Sequence, residues 1–324
     1  LAQNTIHFCL GWGPWPGEPF LDLIEDECAD RRLTCVVCRD ANLGRIIDRI
    51  ESGRARVLFH FDCQADYEDA TDPYARLGYA AKDSGAFVLN EPDVAKAANH
   101  KAVLHYQLVK AGIPVPYSVV VRNWEPAKFK LAPNEKRRLG KPFVVKPARG
   151  YGKVGVSIVR QGSIREIARA RRFDRGDDFI IQEFIDPAWF GHHMGWFRVF
   201  YLLGEVFACF WDTVTQHYTP VSLDDFERYD LTPLVRIARD IARVTHMNYF
   251  STEIAVTGKG ARRRFVVIDY VNDQCDMTMK SMSHCGVPDM IVERVATRLV
   301  DAAARVARNE DPHSPPRIWF LDAA

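Results

Sequence analysis

Lys146-Pro147-Ala148-Arg149-Gly150-Tyr151-Gly152-Lys153-Val154-Gly155 is the stretch whose reading decides the fold of this chain. It holds a literal G-x-G-x-x-G. In a dinucleotide-binding fold that motif joins a strand to a helix, so that the helix N-terminus faces a pyrophosphate. Here Val154, Val156, Ile158 and Val159 follow, and their spacing predicts a strand instead. Strand, loop and strand make a flap. Glycines let such a flap lay backbone N–H groups over a polyphosphate, because only glycine takes φ > 0 at little cost and allows close approach. Lys146, ending the incoming strand from Phe143, supplies a point charge for phosphate oxygens.

About a hundred residues later two acids stand on facing strands. Ser251–Val256 and Phe265–Tyr270 read as strands joined by Thr257-Gly258-Lys259-Gly260-Ala261-Arg262-Arg263-Arg264, an antiparallel hairpin by its turn chemistry. With the turn centred near Gly260 or Ala261, Glu253 falls opposite Asp269 or one residue from it, and directly opposed Cβ atoms lie about 5 Å apart. Two like charges at that spacing call for a cation or a proton between them. Asn272 adds a neutral oxygen, and hard oxygen donors of this kind suit Mg²⁺. The arginine run at the turn reads as a solvated loop.

Outward from these two motifs the chain changes rhythm. Thr5–Leu10, Leu33–Val37 and Arg56–Phe61 are short apolar strands alternating with helical spacing over Phe20–Asp30 and Asn42–Glu51, the pattern of a βαβ lobe with a parallel sheet. A helix over Tyr74–Ser84 and a strand over Ala86–Leu89 follow, and Asn90-Glu91-Pro92-Asp93 reads as a helix cap. The next helix starts near Asn99 with Val103, Leu104, Gln107, Leu108 and Ala111 on one face, and Gly112 ends it. Residues 122–141 are polar and rich in Pro and Lys, hence an irregular connector. Arg165–Arg172 reads as a helix with a solvated arginine face. Val199–Trp211 is a hairpin broken at Gly204-Glu205, and helices are expected over Leu231–Thr245 and Pro288–Arg308.

Composition sets outer limits. Forty-three Lys and Arg against forty-two Asp and Glu give a net charge of +1, which argues against a whole-surface nucleic-acid binder. Apolar residues at 47% and charged residues at 26% exclude disorder. Eight scattered cysteines are too few for a disulfide scaffold, and Cys35 and Cys38, inside an apolar run, read as buried strand thiols. No apolar run approaches the roughly 18 residues of a membrane span, and the N-terminus lacks the pattern of a signal peptide. A soluble cytoplasmic protein is the expectation, with no nucleic-acid or membrane partner and a homodimer allowed for.

A glycine flap after a strand lysine and a paired-acid hairpin, in this order and spacing, resemble the ATP-grasp superfamily, and its carboxylate–amine and carboxylate–thiol ligases in particular. The resemblance runs from about Ala86 to Ala304. It implies an α/β chain in three parts: an N-terminal βαβ lobe over 1–98, a central α+β lid lobe over 99–186, and a C-terminal α+β lobe with a metal site over 187–324. ATP and Mg²⁺ or Mn²⁺ are the implied cofactors. Lys101 and Lys146 match the family's phosphate-binding lysines, and Gly150, Gly152 and Gly155 its flap. Gln182, Glu183, Phe184 and Ile185 match the hinge at the adenine, where Glu183 accepts from the amino group. Glu253, Asp269 and Asn272 fall where the family holds magnesium. Arg198 matches an arginine that faces the phosphates or an acyl phosphate, giving Arg198 and Lys146 the catalytic roles.

Two places depart from the family pattern. An acid commonly precedes the arginine by two residues and holds the ribose; Trp196 stands there, leaving that contact to Asp186 or His192. The last acid and the asparagine are usually two apart, whereas Asp269 and Asn272 are three apart. A bulge or an early turn must then re-aim Asn272, or Asp273 replaces it. The resemblance implies an ATP-dependent ligase that activates a small carboxylate (an amino acid, a peptide or a related acid) as an acyl phosphate and passes it to an amine or thiol. A kinase on the same scaffold and a non-catalytic nucleotide-binding protein are the alternatives. Candidate substrate-recognition segments are Pro187–Trp196 and Gln274–His284.

Overall fold

The strands Asn4–Gly11, Cys35–Cys38, Ala55–Asp62 and Phe87–Leu89 are linked through helices rather than tight turns, and they pair in parallel in the order second, first, third, fourth. The computed structural model describes residues 4–13, 18–126, 128–150, 152–313 and 317–319. It forms two compact units, one of Leu1–Lys96, Trp196–Thr252 and Val271–Ala324, the other of Ala97–Gly195 and Glu253–Tyr270. Among the described residues no helix is long and apolar enough to cross a membrane.

In the first unit the helices Glu18–Asp30, Leu43–Glu51 and Pro73–Asp83 dress the parallel sheet. Leu43–Glu51 buries Leu43, Ile46, Ile47 and Ile50, one stripe at helical spacing. Pro73–Asp83 starts where Pro73 needs no N–H partner and the Asp72 carboxylate accepts from Tyr74 N at 2.8 Å. Cys38 is buried and Cys35 half-buried on their strand. The hairpin expected around Gly204 is present: Trp196–Leu202 pairs with Glu205–Trp211 in the register Leu202↔Glu205, and Leu203 and Gly204 both have positive φ, 46° and 97°. Glu205 is buried, balanced by Arg294 at 2.9 Å and Arg298 at 3.4 Å from the helix Asp289–Ala307.

The second unit is built on an antiparallel sheet in the order Ser118–Val121, Phe179–Glu183, Phe143–Pro147, Ser157–Val159. Val121, Phe143, Val145, Val159, Phe179 and Ile181 line its core. The strands Tyr249–Thr257 and Arg264–Asn272 are neighbours in a further sheet, and each belongs partly to both units.

Three expectations need correction. The connector 122–141 contains a helix, Pro133–Leu139, because Pro133 starts it, Glu135 Oε2 accepts from Ala132 N at 2.7 Å and Gly140 closes it at φ 69°. Arg171 is not on a solvated face. It is buried, and its guanidinium donates to the carbonyls of Pro126, Arg122 and Glu125 at 2.8, 3.1 and 3.2 Å, answering the connector's backbone acceptors. The helix Lys101–Lys110 turns Ala102, Leu104, His105 and Leu108 inward and leaves Val103, Gln107 and Ala111 exposed, because His105 is satisfied by Tyr270 Oη at 2.7 Å.

The cap expected within Asn90-Glu91-Pro92-Asp93 is made by Glu91, whose Oε2 receives Val94 N at 2.9 Å at the start of the helix Pro92–Asn99. Asn90 is buried; its amide donates to Tyr249 O at 2.5 Å and its carbonyl receives Asn248 N and Tyr249 N at 3.0 and 2.9 Å. Asn90→Ala strands all three backbone groups. It should cost roughly 2–4 kcal/mol, read as a fall in the denaturation midpoint at unchanged slope.

Candidate active site

Phe143–Pro147 returns as Ser157–Val159 in the register Phe143↔Val159 and Val145↔Ser157, so the glycine-rich stretch is the loop of a hairpin and not the mouth of a helix. Gly150, Gly152 and Gly155 have φ of 136°, 59° and 76°, values that side chains resist. The outgoing strand begins at Ser157, later than expected, and Val154 and Val156 are exposed. Tyr151 lies outside the described residues. The loop is anchored at its base: Ala148 N donates to Asp178 O at 2.8 Å and Arg149 N to Asp177 Oδ2 at 2.7 Å. Lys101 joins the same base, its N donating to Ala148 O at 3.0 Å and its Nζ to Gly150 O at 2.7 Å.

Beneath the loop sits Lys146, 8% exposed on an interior strand. Its ammonium donates to Ile268 O at 2.8 Å and stands 5.4 Å from the centre of the Tyr270 ring. Burial pulls its pKa down to about 8; Asp269 and Glu253 push it up, and Lys101 pulls it down. Those interactions put Lys101, Lys146, Glu253 and Asp269 within one electrostatic neighbourhood. Lys101 Nζ lies 3.8 Å from Asp269 Oδ1, and Glu253, 9% exposed, comes from the neighbouring strand. Two cations and two carboxylates balance to zero. The two ammoniums can face phosphate oxygens and the two carboxylates a divalent cation.

The expected hinge is the end of the strand Phe179–Glu183. Gln182 is buried, its amide 3.4 Å from both Tyr270 Oη and Ser118 Oγ. Glu183 accepts from Tyr117 N at 3.3 Å and pairs with Arg264 at 3.3 Å. Phe184 and Asp186 are exposed, Ile185 is buried, and Asp186 O receives Thr257 Oγ1 at 2.8 Å.

Arg198 and Asn272 belong to the first unit. The Arg198 guanidinium lies 4.6 Å from the Trp211 ring centre and 3.4 Å from Ser251 Oγ. Asn272 ends its strand, and its carbonyl accepts from Cys275 Sγ at 3.4 Å. The strand runs on through Asn272, so an early turn is not what aims that side chain.

His105, Tyr270, Asp177 and Asp178, which hold the parts of this arrangement together, escaped the sequence reading. His105 follows Lys101 by four residues on one helix, a spacing that could have flagged it. Burial, and then the Lys146 charge, lower its pKa to about 4, below the ordinary 6.5. Between those values the unfolded chain binds more protons than the folded one, so stability rises with pH across this window and is lost on acidification from about 6.5 to 4. Buried His60 acts with the same sign. Urea midpoints measured across that window should therefore fall less steeply in His105→Gln than in the unaltered chain.

No family model matches the chain. A curated D-alanine–D-alanine ligase from Coprothermobacter proteolyticus is 29% identical over 193 residues, 56% of this chain and 60% of that protein. The chain thus matches about three fifths of that relative's length. The solved RimK domain ATP-grasp protein from Sphaerobacter thermophilus superposes at a TM-score of 0.60 and 21% identity, over 91% of this chain and 98% of that one. The ATP-grasp ligase PsnB, solved with a minimal precursor, gives 0.63 at 14% identity, over 94% and 100%. The chain has the ATP-grasp fold.

Proposed function

We propose that this ATP-grasp chain is an ATP-dependent ligase joining a carboxylate to an amine or thiol, with release of ADP and phosphate. The observation that carries the reading is the grouping of Lys101, Lys146, Glu253 and Asp269 at the base of the three-glycine flap. The similarity to a D-alanine–D-alanine ligase and to PsnB, solved with a precursor peptide, makes an amino acid or a peptide the favoured acid.

In this reading a substrate carboxylate oxygen bonds to the γ-phosphorus of ATP as the bond to the bridging oxygen breaks, giving an acyl phosphate and ADP. The amine or thiol then attacks the acyl carbon, gives up a proton and expels phosphate. Lys101 and Lys146 neutralise phosphate oxygens, and backbone N–H groups at Gly150, Gly152 and Gly155 cover them and exclude water. Gln182, Glu183, Phe184, Ile185 and Asp186 border the base and sugar; Glu183 would trade its contact with Arg264 for the adenine amino group. Glu253 and Asp269, hard-oxygen donors beside two lysines, fit a divalent cation, and Asn272 is assigned to it on the resemblance alone. Mg²⁺ bound there would polarise the phosphoryl oxygens. Arg198 is assigned to the acyl phosphate on the resemblance, and its guanidinium lies over the Trp211 ring.

Lys146→Ala should weaken ATP binding by about 1.5–3 kcal/mol, roughly ten- to a hundredfold in Kd, whereas Asp269→Asn should lower phosphate release far more than it lowers ATP affinity. Equal turnover of Asp269→Asn and the unaltered chain would overturn the metal site, and a stable phosphorylated product with no second substrate consumed would make the protein a kinase. The depressed pKa of Lys146 gives a separate signature. Polyphosphate favours its charged form, so ATP binding near pH 8 should take up protons, and the uptake should fade towards about pH 6. Calorimetry in buffers of different ionisation enthalpy reads this directly, and Lys146→Ala should abolish it.

A further inference from the structure

Arg298 is a charge without a counter-charge of its own. It lies on the helix Asp289–Ala307 with its side chain 1% exposed. The acid beside it, Glu205, is equally buried and is taken by Arg294, which donates from Nε and Nη2 to its two oxygens at 3.2 and 2.9 Å. Arg298 Nε comes second, 3.4 Å from one of those oxygens. Two guanidiniums thus share one carboxylate. Arg298 Nη2 donates to the carbonyls of Leu203 and Pro312, while Nε and Nη1 are buried with no hydrogen-bond partner. A guanidinium left so is costly, because interiors pair nearly all such donors and balance nearly all such charges.

The same side chain lines a cavity of about 540 Å³ in the first unit. Arg298, Asp301, Arg305 and Arg308 follow one another at spacings of three and four residues, which puts them on one face of the helix and its end. Arg31, just past the helix Glu18–Asp30, and His7, on the first strand, complete the polar wall. Among the described residues that line the space Asp301 is the one acid, and Arg31 holds it through Nε and Nη2 at 3.1 and 2.9 Å. Glu27 pairs with Arg31 and Glu310 with Arg308, but neither lines the cavity. Arg305 spends its Nε on Asp311 O, and Arg308 keeps Nη1 beyond its two bonds to Glu310. His7 Nδ1 accepts from Thr34 N at 3.1 Å, so the proton of the neutral ring sits on Nε2.

Donors from a strand, a helix end and a helix face converge on this space, and what it lacks is an anion. A carboxylate offers two oxygens in one plane. A phosphate monoester offers three oxygens in different directions and a charge near −2, which suits several guanidiniums at once. The volume falls in the range of small-molecule pockets, roughly 300–1,000 Å³, and far exceeds what a bare phosphate fills. Leu33, Ala304 and Ala307 give it an apolar side for a carbon skeleton. We propose that this cavity is a binding site for a small organic phosphate, with Arg298 as its buried counter-charge and His7, Arg31, Arg305 and Arg308 as the donors around the phosphate group. The site shares no residue with the cluster at Lys146, and it does not rest on the ligase reading.

The test is thermal shift and calorimetry on the full chain at mildly alkaline pH, where the ester is a dianion. The probes are phenyl phosphate, ethyl phosphate, inorganic phosphate and sodium benzoate, each against sodium chloride at equal ionic strength. Both esters should raise the melting temperature above the chloride control, phenyl phosphate more than ethyl phosphate, and benzoate should not. Arg298→Met should bind phenyl phosphate at least about tenfold more weakly and Arg305→Gln at least about fivefold. Arg305→Gln serves if Arg298→Met fails to fold, and a role of Arg298 confined to the Leu203 and Pro312 carbonyls would leave binding by Arg305→Gln unchanged. Lys146→Ala should respond like the unaltered chain, which separates this cavity from the phosphate contacts assigned to Lys146. No response to either ester, equal responses in the unaltered chain and both arginine variants, or a response lost in Lys146→Ala overturns the site. Inorganic phosphate or benzoate binding as tightly as phenyl phosphate overturns its assignment to an organic phosphate.

Discussion

The second unit is organised around an ammonium that has been taken out of water. Lys146 lies on an interior strand of an antiparallel sheet, where a charge is expensive unless it is paired and hydrogen-bonded. Ile268 O supplies the hydrogen bond, Asp269 and Glu253 supply opposite charge, and the Tyr270 ring closes one side. The hydroxyl of that ring is in turn fixed by His105 and Gln182. A helix and the strands that carry Glu253, Asp269 and Gln182 are thereby tied to one cation. The glycine flap rests on the same base through Lys101, which touches both Gly150 O and Asp269.

What could be read from the residues and what could not divides by distance along the chain. The flap was legible because its chemistry is local: three glycines between β-branched residues predict a hairpin loop with positive φ, and that is what forms. The acid pair was legible because a short turn brings Glu253 and Asp269 onto neighbouring strands. The orientation of the helix Lys101–Lys110 was not legible. Its apolar residues alone put Val103 inside, whereas the face that forms keeps Leu104 and Leu108, leaves Val103 out and brings in His105, bonded to Tyr270 165 positions away. Arg171 misled for the same reason. A guanidinium in an arginine-rich helix has an ordinary local role in solvent, and the structure uses it for distant backbone groups. The polar connector hid its helix because composition reports solvation, whereas a proline, a glutamate and a glycine at the right places set helix ends.

The two units invest in buried charge differently. Around Lys146 two ammoniums and two carboxylates stand together, and their charges cancel. Around Asp62 they do not: burial raises that carboxyl to about pKa 7, with Asp72 and Asp273 adding to the rise, and the adjoining histidine is held neutral. Natural interiors pair nearly all their buried polar atoms, so Asp62 Oδ2 and His60 Nε2, 3.8 Å apart and each without a hydrogen-bond partner, are a deficit that the fold has kept.

Gly11 and Asp62 illustrate how such a deficit constrains a lineage. The glycine is required by the acid rather than by any turn, since it is the carboxylate oxygen that occupies the space of a Cβ. Neither position can drift alone: a side chain at 11 collides while Asp62 remains, and a smaller residue at 62 leaves a void that glycine cannot fill. Substitutions in descendants of this chain must therefore arrive in pairs, and a double change such as Gly11→Ala with Asp62→Ala should be tolerated better than the first alone. The two positions behave as a single inherited unit, split across two strands.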